Sequence, residues 1–177
     1  MSLKSKEATR YYSLDSSEAL IKQQVTSWAE IWECSRTGAR SLHSSIEILP
    51  DQVICSMGAR EYLASPNYLT VQIDDEKHIM LDPSFLQYIN HSCSPNVFFD
   101  TEKMRVICVK AIAPGEAITF FYPSTEWSMK QRFRCLCGSQ NCLTQIQGAR
   151  FLSSDILQSY RLTEYIQSKR KKYRELA

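Results

Sequence analysis

Asn90-His91-Ser92-Cys93-Ser94-Pro95-Asn96 gathers two amides, an imidazole and a thiol into seven residues, directly after the apolar run Phe85-Leu86-Gln87-Tyr88-Ile89. Pro95 fixes its own φ and pushes Ser94 toward an extended conformation, so the backbone here is held still as it leaves a strand. A fixed backbone suits a ligand site. Three more cysteines follow in Cys135-Leu136-Cys137-Gly138-Ser139-Gln140-Asn141-Cys142. A closed tetrahedral zinc site takes four thiolates, or thiolates and imidazoles, and Cys93 would supply the fourth sulfur to Cys135, Cys137 and Cys142.

The cysteine count supports that reading. Seven is odd, and the tight Cys-x-Cys pair does not form an ordinary disulfide framework, so metal ligation in a reducing compartment is the better account. Cys34, Cys55 and Cys108 sit in apolar stretches and read as buried hydrophobes. His91 and Cys93, on alternate positions, also fit a base and thiol nucleophile, although a zinc-bound cysteine is not available for that role. His43 and His78 read as surface or satisfied core residues.

These groups must be positioned by one domain. A chain of 177 residues with 44% hydrophobic content can bury one good core and is short for two. A net charge of +2 is small for a dedicated polyanion binder, so direct nucleic-acid binding is not expected. No apolar run is long enough to span a membrane, and the start has no hydrophobic signal region. The expectation is a soluble intracellular protein, nuclear or cytoplasmic, with no membrane partner.

Along the chain, residues 1 to about 15 are polar and expected to fray, and Asp15-Ser16-Ser17-Glu18 offers caps for a short helix at Ala19-Leu20-Ile21. Val25 to Cys34 reads as a strand, Ser35 to Leu42 as a loop, and Ile46-Leu49 and Val53-Met57 as short strands about the Pro50-Asp51 turn. Tyr68 to Ile73 alternates well, and His78 to Leu81 returns as its partner after Asp74-Asp75. Val97-Phe99, Met104-Val109 and Ile118-Tyr122 are further strands. The tail turns helical: Ser153-Ser154-Asp155 caps Ile156-Leu157, and Leu162 to Glu175 carries Leu162, Tyr165 and Ile166 on one face. Its Lys169-Arg170-Lys171-Lys172 run reads as a solvated helix end.

The order Asn90–Asn96, then Gly115-Glu116-Ala117-Ile118-Thr119-Phe120-Phe121-Tyr122, then Cys-x-Cys-x4-Cys at 135–142 resembles the SET-domain protein-lysine methyltransferases with a post-SET zinc motif. Gly38-Ala39-Arg40-Ser41-Leu42 looks like their cofactor loop. The resemblance implies a mainly β, β-clip-like fold of small curved sheets, with the Asn-His segment threaded as a pseudoknot, plus short helices and a C-terminal helix. It also implies an N-terminal extension at 1–24, a SET domain at 25–127, a post-SET zinc segment at 128–148 and a helical tail at 149–177.

The implied reaction is methyl transfer from S-adenosylmethionine to the ε-amine of a lysine in a protein substrate, histone or otherwise. By the same resemblance Tyr122, and by looser analogy Tyr68, orient the amine. Ser35, Thr37, Gly38, Asn90, His91, Tyr122, Phe133 and Leu136 hold the cofactor, and Cys93, Cys135, Cys137 and Cys142 hold zinc. Phe121 stands where the family usually carries an acidic residue. Two other functions stay open: a catalytically weak, zinc-stabilised interaction module of the same fold, and an adaptor acting through the basic C-terminal helix. Trp127 fits either the wall of the lysine channel or simple packing.

Overall fold

The computed structural model describes residues 20–175. The caps expected at Asp15–Glu18 lie outside them. The segment that follows is a strand and not a helix: β1 (Leu20–Gln24) pairs along its whole length with β2 (Ala29–Cys34), and this ladder overrides the local helix signal. β2 turns at Ser35–Gly38 into β3 (Arg40–Ser44), so the end of the expected loop, Arg40–Leu42, is strand. Gly38, at φ 68°, makes that tight return, with its N–H donating to the Cys34 carbonyl at 2.8 Å.

β4 (Val53–Ser56) forms as expected, but Ile46–Leu49 does not become a strand, and only Ile48 bridges to Ile112. Ile46 and Leu49 are largely exposed and have no neighbouring strand to pair with. β5 (Gly58–Leu63) was not foreseen, because its exposed, polar residues carry no core face. It is an edge strand on β7 (Lys77–Asp82), whose other side takes β6 (Thr70–Asp74). Residues Ser84–Tyr88 form a 3-10 turn, not a strand. Pro83 starts it, and Leu86 and Ile89, three apart and buried, share the inward face of such a turn.

The largest sheet is built from distant segments. Its strand order runs β4, β10 (Arg105–Cys108), β9 (Val97–Asp100), β11 (Thr119–Phe120), β8 (Asn90–His91). β11 lies parallel between β9 and β8. Asn96 laces the crossing: its side chain donates to the Ala117 carbonyl at 2.8 Å and accepts from the Thr119 N–H at 2.8 Å. The threaded Asn-His arrangement implied by the family resemblance is therefore held by an amide that satisfies both its donor and its acceptor.

The main core lies under these sheets, with Leu42, Ile79, Leu86, Phe99, Val106 and Ile118 almost wholly buried. A short hairpin, β12 (Phe133–Arg134) and β13 (Gln145–Ile146), carries the cysteine-rich segment. The chain ends in α1 (Ser154–Gln158), capped by the Ser153 hydroxyl as expected, and α2 (Glu164–Glu175). Of the expected strand Ile118–Tyr122 only Thr119–Phe120 is strand, and Leu157, Leu162 and Ile166 pack onto Phe121 and Trp127, forming a second core beside the turn that begins at Tyr122. Trp127 is thus a packing residue, edge-on to Tyr173 with ring centroids 5.6 Å apart. Lys171 and Lys172 are exposed at the helix end, while Lys169 pairs with Asp75 at 2.6 Å.

Candidate active site and metal centre

The four cysteines meet. Cys93, from the crossing segment, and Cys135, Cys137 and Cys142, from the hairpin, place their Sγ atoms within 4.8 Å of one another. Cys93 and Cys135 are 3.9 Å apart at sulfur. Tetrahedral zinc with Zn–S bonds of ~2.3 Å requires S···S separations of about 3.8 Å, so the donor set fits that metal. The neighbouring Cys93 thiol, together with burial, pushes the Cys135 pKa far up. Four sulfurs this close become thiolates together only with a cation among them.

His91 belongs to the same construction. Its Nδ1 accepts from the Tyr122 backbone N–H at 3.2 Å, so the ring proton sits on Nε2 and donates to Cys93 Sγ at 3.3 Å. Burial pulls its pKa down to about 3, which keeps the imidazole neutral. The ring therefore spans from the strand end at Tyr122 to a sulfur of the cluster, orienting that sulfur as outer partners orient metal ligands. Both ring nitrogens are engaged, and among the described residues no carboxylate orients the ring as the base and nucleophile alternative would need.

Tyr122 begins a 3-10 turn, Tyr122–Ser124, that folds the chain back. Its ring lies 5.2 Å from His91 and 5.9 Å from Phe133, edge to face in both cases. Tyr122 also lines a cavity of about 60 Å³ together with Thr70, Leu86, Phe120, Met129 and Glu126. Tyr68 does not face this cavity. It is 84% exposed, although its neighbours Asn67 and Leu69 contribute to the wall.

The remaining expected cofactor residues divide into two groups. Ser35, Thr37 and Gly38 form the exposed tip between β2 and β3, and the Asn90 side chain donates to the Arg40 carbonyl at 2.9 Å, tying that hairpin to the crossing segment. Phe133 is half-buried against His91 and Tyr122, whereas Leu136 is 42% exposed beside the cysteines.

A profile of the SET domain matches residues 4–123. The chain belongs to the SET-domain family. Over 101 residues this SET domain is 45% identical to the methyltransferase flvH of Aspergillus flavus, an alignment spanning 56% of each chain. It is 30% identical over 102 residues to a histone-lysine N-methyltransferase, H3 lysine-4 specific, of Aspergillus fumigatus, spanning 51% of this chain and 8% of that one. It is 40% identical over 70 residues to the histone-lysine N-methyltransferase Set2 of Drosophila melanogaster, spanning 35% and 3% respectively. The chain thus spans about half the length of flvH and a small part of the histone enzymes. No described helix is long and apolar enough to cross a membrane.

Reading the SET sequence alone missed several residues that build the site. Glu126 is buried, and its Oε1 accepts from the Gln72 N–H at 2.8 Å and from the Thr125 hydroxyl at 3.3 Å. The Gln72 side chain returns the link by accepting from the Trp127 N–H at 3.0 Å. Asn141 donates to the Cys93 carbonyl at 2.7 Å, as does the Tyr160 hydroxyl at 2.8 Å. Phe121, noted in the sequence for replacing an acidic residue that the resemblance implies, is buried and stacks on Tyr160.

Proposed function

We propose that the protein is an S-adenosylmethionine-dependent N-methyltransferase that acts on the ε-amine of a lysine in a protein substrate, with structural zinc in the four-cysteine cluster. The observation that supports this reading is that Tyr122 both lines a small cavity and packs its ring edge-on to His91 of the knotted segment, 5.2 Å between ring centroids. When bound, the cofactor supplies an electrophilic methyl group on a sulfonium. The half-buried rings of Tyr122 and Phe133 suit a cationic sulfonium, because aromatic faces attract positive charge. Asn90, the His91 main chain and the Ser35–Gly38 tip would hold the rest of the cofactor, with Leu136 as an apolar cover.

The residues of the cavity act on the amine. Free lysine has a pKa near 10.4, so at neutral pH the amine arrives mostly as ammonium. Leu86, Phe120 and Met129 exclude water and disfavour the charged form, while the Tyr122 hydroxyl orients the nitrogen for in-line attack. By joining the hairpin to the crossing segment, zinc would couple metal binding to formation of the site. Nuclear or cytoplasmic residence follows from this reading.

Calorimetry of zinc-loaded protein with S-adenosylmethionine, followed by transfer of labelled methyl groups to lysine-containing peptides, tests the reading. Micromolar binding and transfer to the ε-amine are expected. No binding by zinc-loaded protein would leave the interaction module as the function.

A further inference from the structure

Glu126 stands where an uncharged wall would be expected. Its side chain is 93% buried by neighbouring atoms, being 7% exposed, yet it lines the same cavity as Tyr122 among Leu86, Phe120 and Met129. Oε1 takes the Gln72 N–H and the Thr125 hydroxyl; Oε2 takes no hydrogen bond from the described residues and is not one of their fully buried unpartnered atoms, so it keeps some exposure at this cavity-lining residue. No salt bridge to Glu126 is formed within them. A buried carboxyl with no cation against it is costly unless a ligand supplies the complement.

We propose that Glu126 is the acceptor that receives a primary alkylammonium group in this cavity, selecting the amine by charge and taking one proton from its nitrogen. The inference rests on the reading of the cavity as the amine channel. At roughly 10–15 Å³ per water-sized group, a volume of about 60 Å³ holds about five such groups, the number of heavy atoms in a four-carbon amine. The proton step balances simply. The N–H bond breaks, an O–H bond forms on Glu126, and the lone pair stays on nitrogen, so an ion pair becomes a neutral amine beside a neutral acid. A desolvated pocket favours that neutral pair.

Burial raises the Glu126 pKa to about 7, partly offset by the Gln72 N–H and the Thr125 hydroxyl, which brings the carboxyl closer to the amine it must relieve. The ionisable groups around it are Tyr122 and Lys130 at the cavity, Tyr165 from α2, bonded to the Gln72 amide, and His78 from β7, opposite Gln72. Burial lowers the His78 pKa, so its ring stays neutral where Glu126 titrates.

The test uses the zinc-loaded full chain and n-butylammonium chloride, with n-butanol as the uncharged control, followed by NMR titration at pH 5.5 and 8.5. Expected are at least tenfold tighter amine binding at pH 8.5, little binding of the alcohol, and loss of both the affinity and its pH dependence in Glu126→Gln. A lysine-containing peptide and free L-lysine, titrated in parallel, tell which carrier presents the group, and sensitivity of either to Glu126→Gln supports the assignment. Amine binding equal in wild type and Glu126→Gln overturns it, as does wild-type binding that does not change with pH. S-adenosylmethionine binding is measured separately. Its retention in Glu126→Gln with unchanged amine affinity removes this inference and leaves the methyltransferase reading standing, whereas its absence in wild type removes that reading alone.

Discussion

Tyr160 lies face to face on Phe121, with ring centroids 3.6 Å apart and planes within 5°. The same tyrosine donates its hydroxyl to the Cys93 carbonyl at 2.8 Å. A residue from the tail thus touches both the strand end that leads into Tyr122 and the chain that supplies a sulfur. Tyr160→Phe keeps the stack but drops both hydroxyl hydrogen bonds, to the Cys93 carbonyl and from the Asn141 amide, and should cost about 1–2 kcal/mol. Tyr160→Ala, which also empties the stacking site, should cost about 3–5 kcal/mol. Urea denaturation of both variants measures the difference.

Metal removal should reach the pocket. With Cys137→Ser, or with a strong chelator, bound zinc is expected to fall from one per chain and S-adenosylmethionine affinity to fall with it. Elemental analysis and calorimetry on the same samples read both quantities. Full affinity in metal-free protein would separate the cluster from the site.

Tyr122→Phe preserves the ring contacts with His91 and Phe133 and removes only the hydroxyl. If that hydroxyl orients the amine, turnover should drop by about a hundredfold, the scale of losing one positioned polar group. Steady-state methyl transfer with unchanged thermal stability would confirm the role.

Glu126 also makes stability depend on pH. Its folded-state pKa, raised to about 7, lies above the ordinary carboxyl value of 4.5, so the folded chain holds the proton more tightly. The stability this provides is complete below about 4.5 and is lost as pH rises through about 7. Glu126→Gln should therefore differ little from wild type at pH 4.5 and be more stable at pH 8, by at most about 3 kcal/mol. Denaturant midpoints at the two pH values check the sign.

Gly148 offers a steric test. At φ 117° it sits where side chains are strained, and an added Cβ would lie 2.6 Å from the Trp127 carbonyl oxygen. Gly148→Ala should lose more than the about 1–3 kcal/mol of backbone strain alone, because the overlap is with main chain that cannot swing aside. Thermal unfolding gives the value.

Much of this molecule could be read in its letters, and the exceptions share a cause. The cysteine spacing foretold a cluster because four soft ligands have one economical arrangement. Paired strands such as β6 and β7 declared themselves by alternation. β5 did not, because an edge strand is held by its partner's ladder and needs no apolar face. Leu86 and Ile89 were apolar enough for a strand, and only Pro83 and their three-residue spacing marked the turn. Glu126 was invisible for a different reason: a lone carboxylate in sequence looks like solvent-facing charge, and its burial arises from β6 and the tail closing over it. His91 was expected to hold the cofactor, whereas its side-chain bonds run to Tyr122 and Cys93, contacts that no local pattern encodes.

Thr163, just before α2, donates both its backbone N–H and its hydroxyl to the Ser124 carbonyl, each at 3.1 Å. The bend that aims Tyr122 and Glu126 is thus clamped from behind by a segment about forty positions downstream, beyond residue 123 where the family match stops. A shortened chain ending at that border would retain Tyr122 but lose Ser124, Glu126 and the three hairpin cysteines together with that clamp. Divergence in the tail would therefore shift the bend at Tyr122 without altering the Asn90–Asn96 or Gly115–Tyr122 motifs.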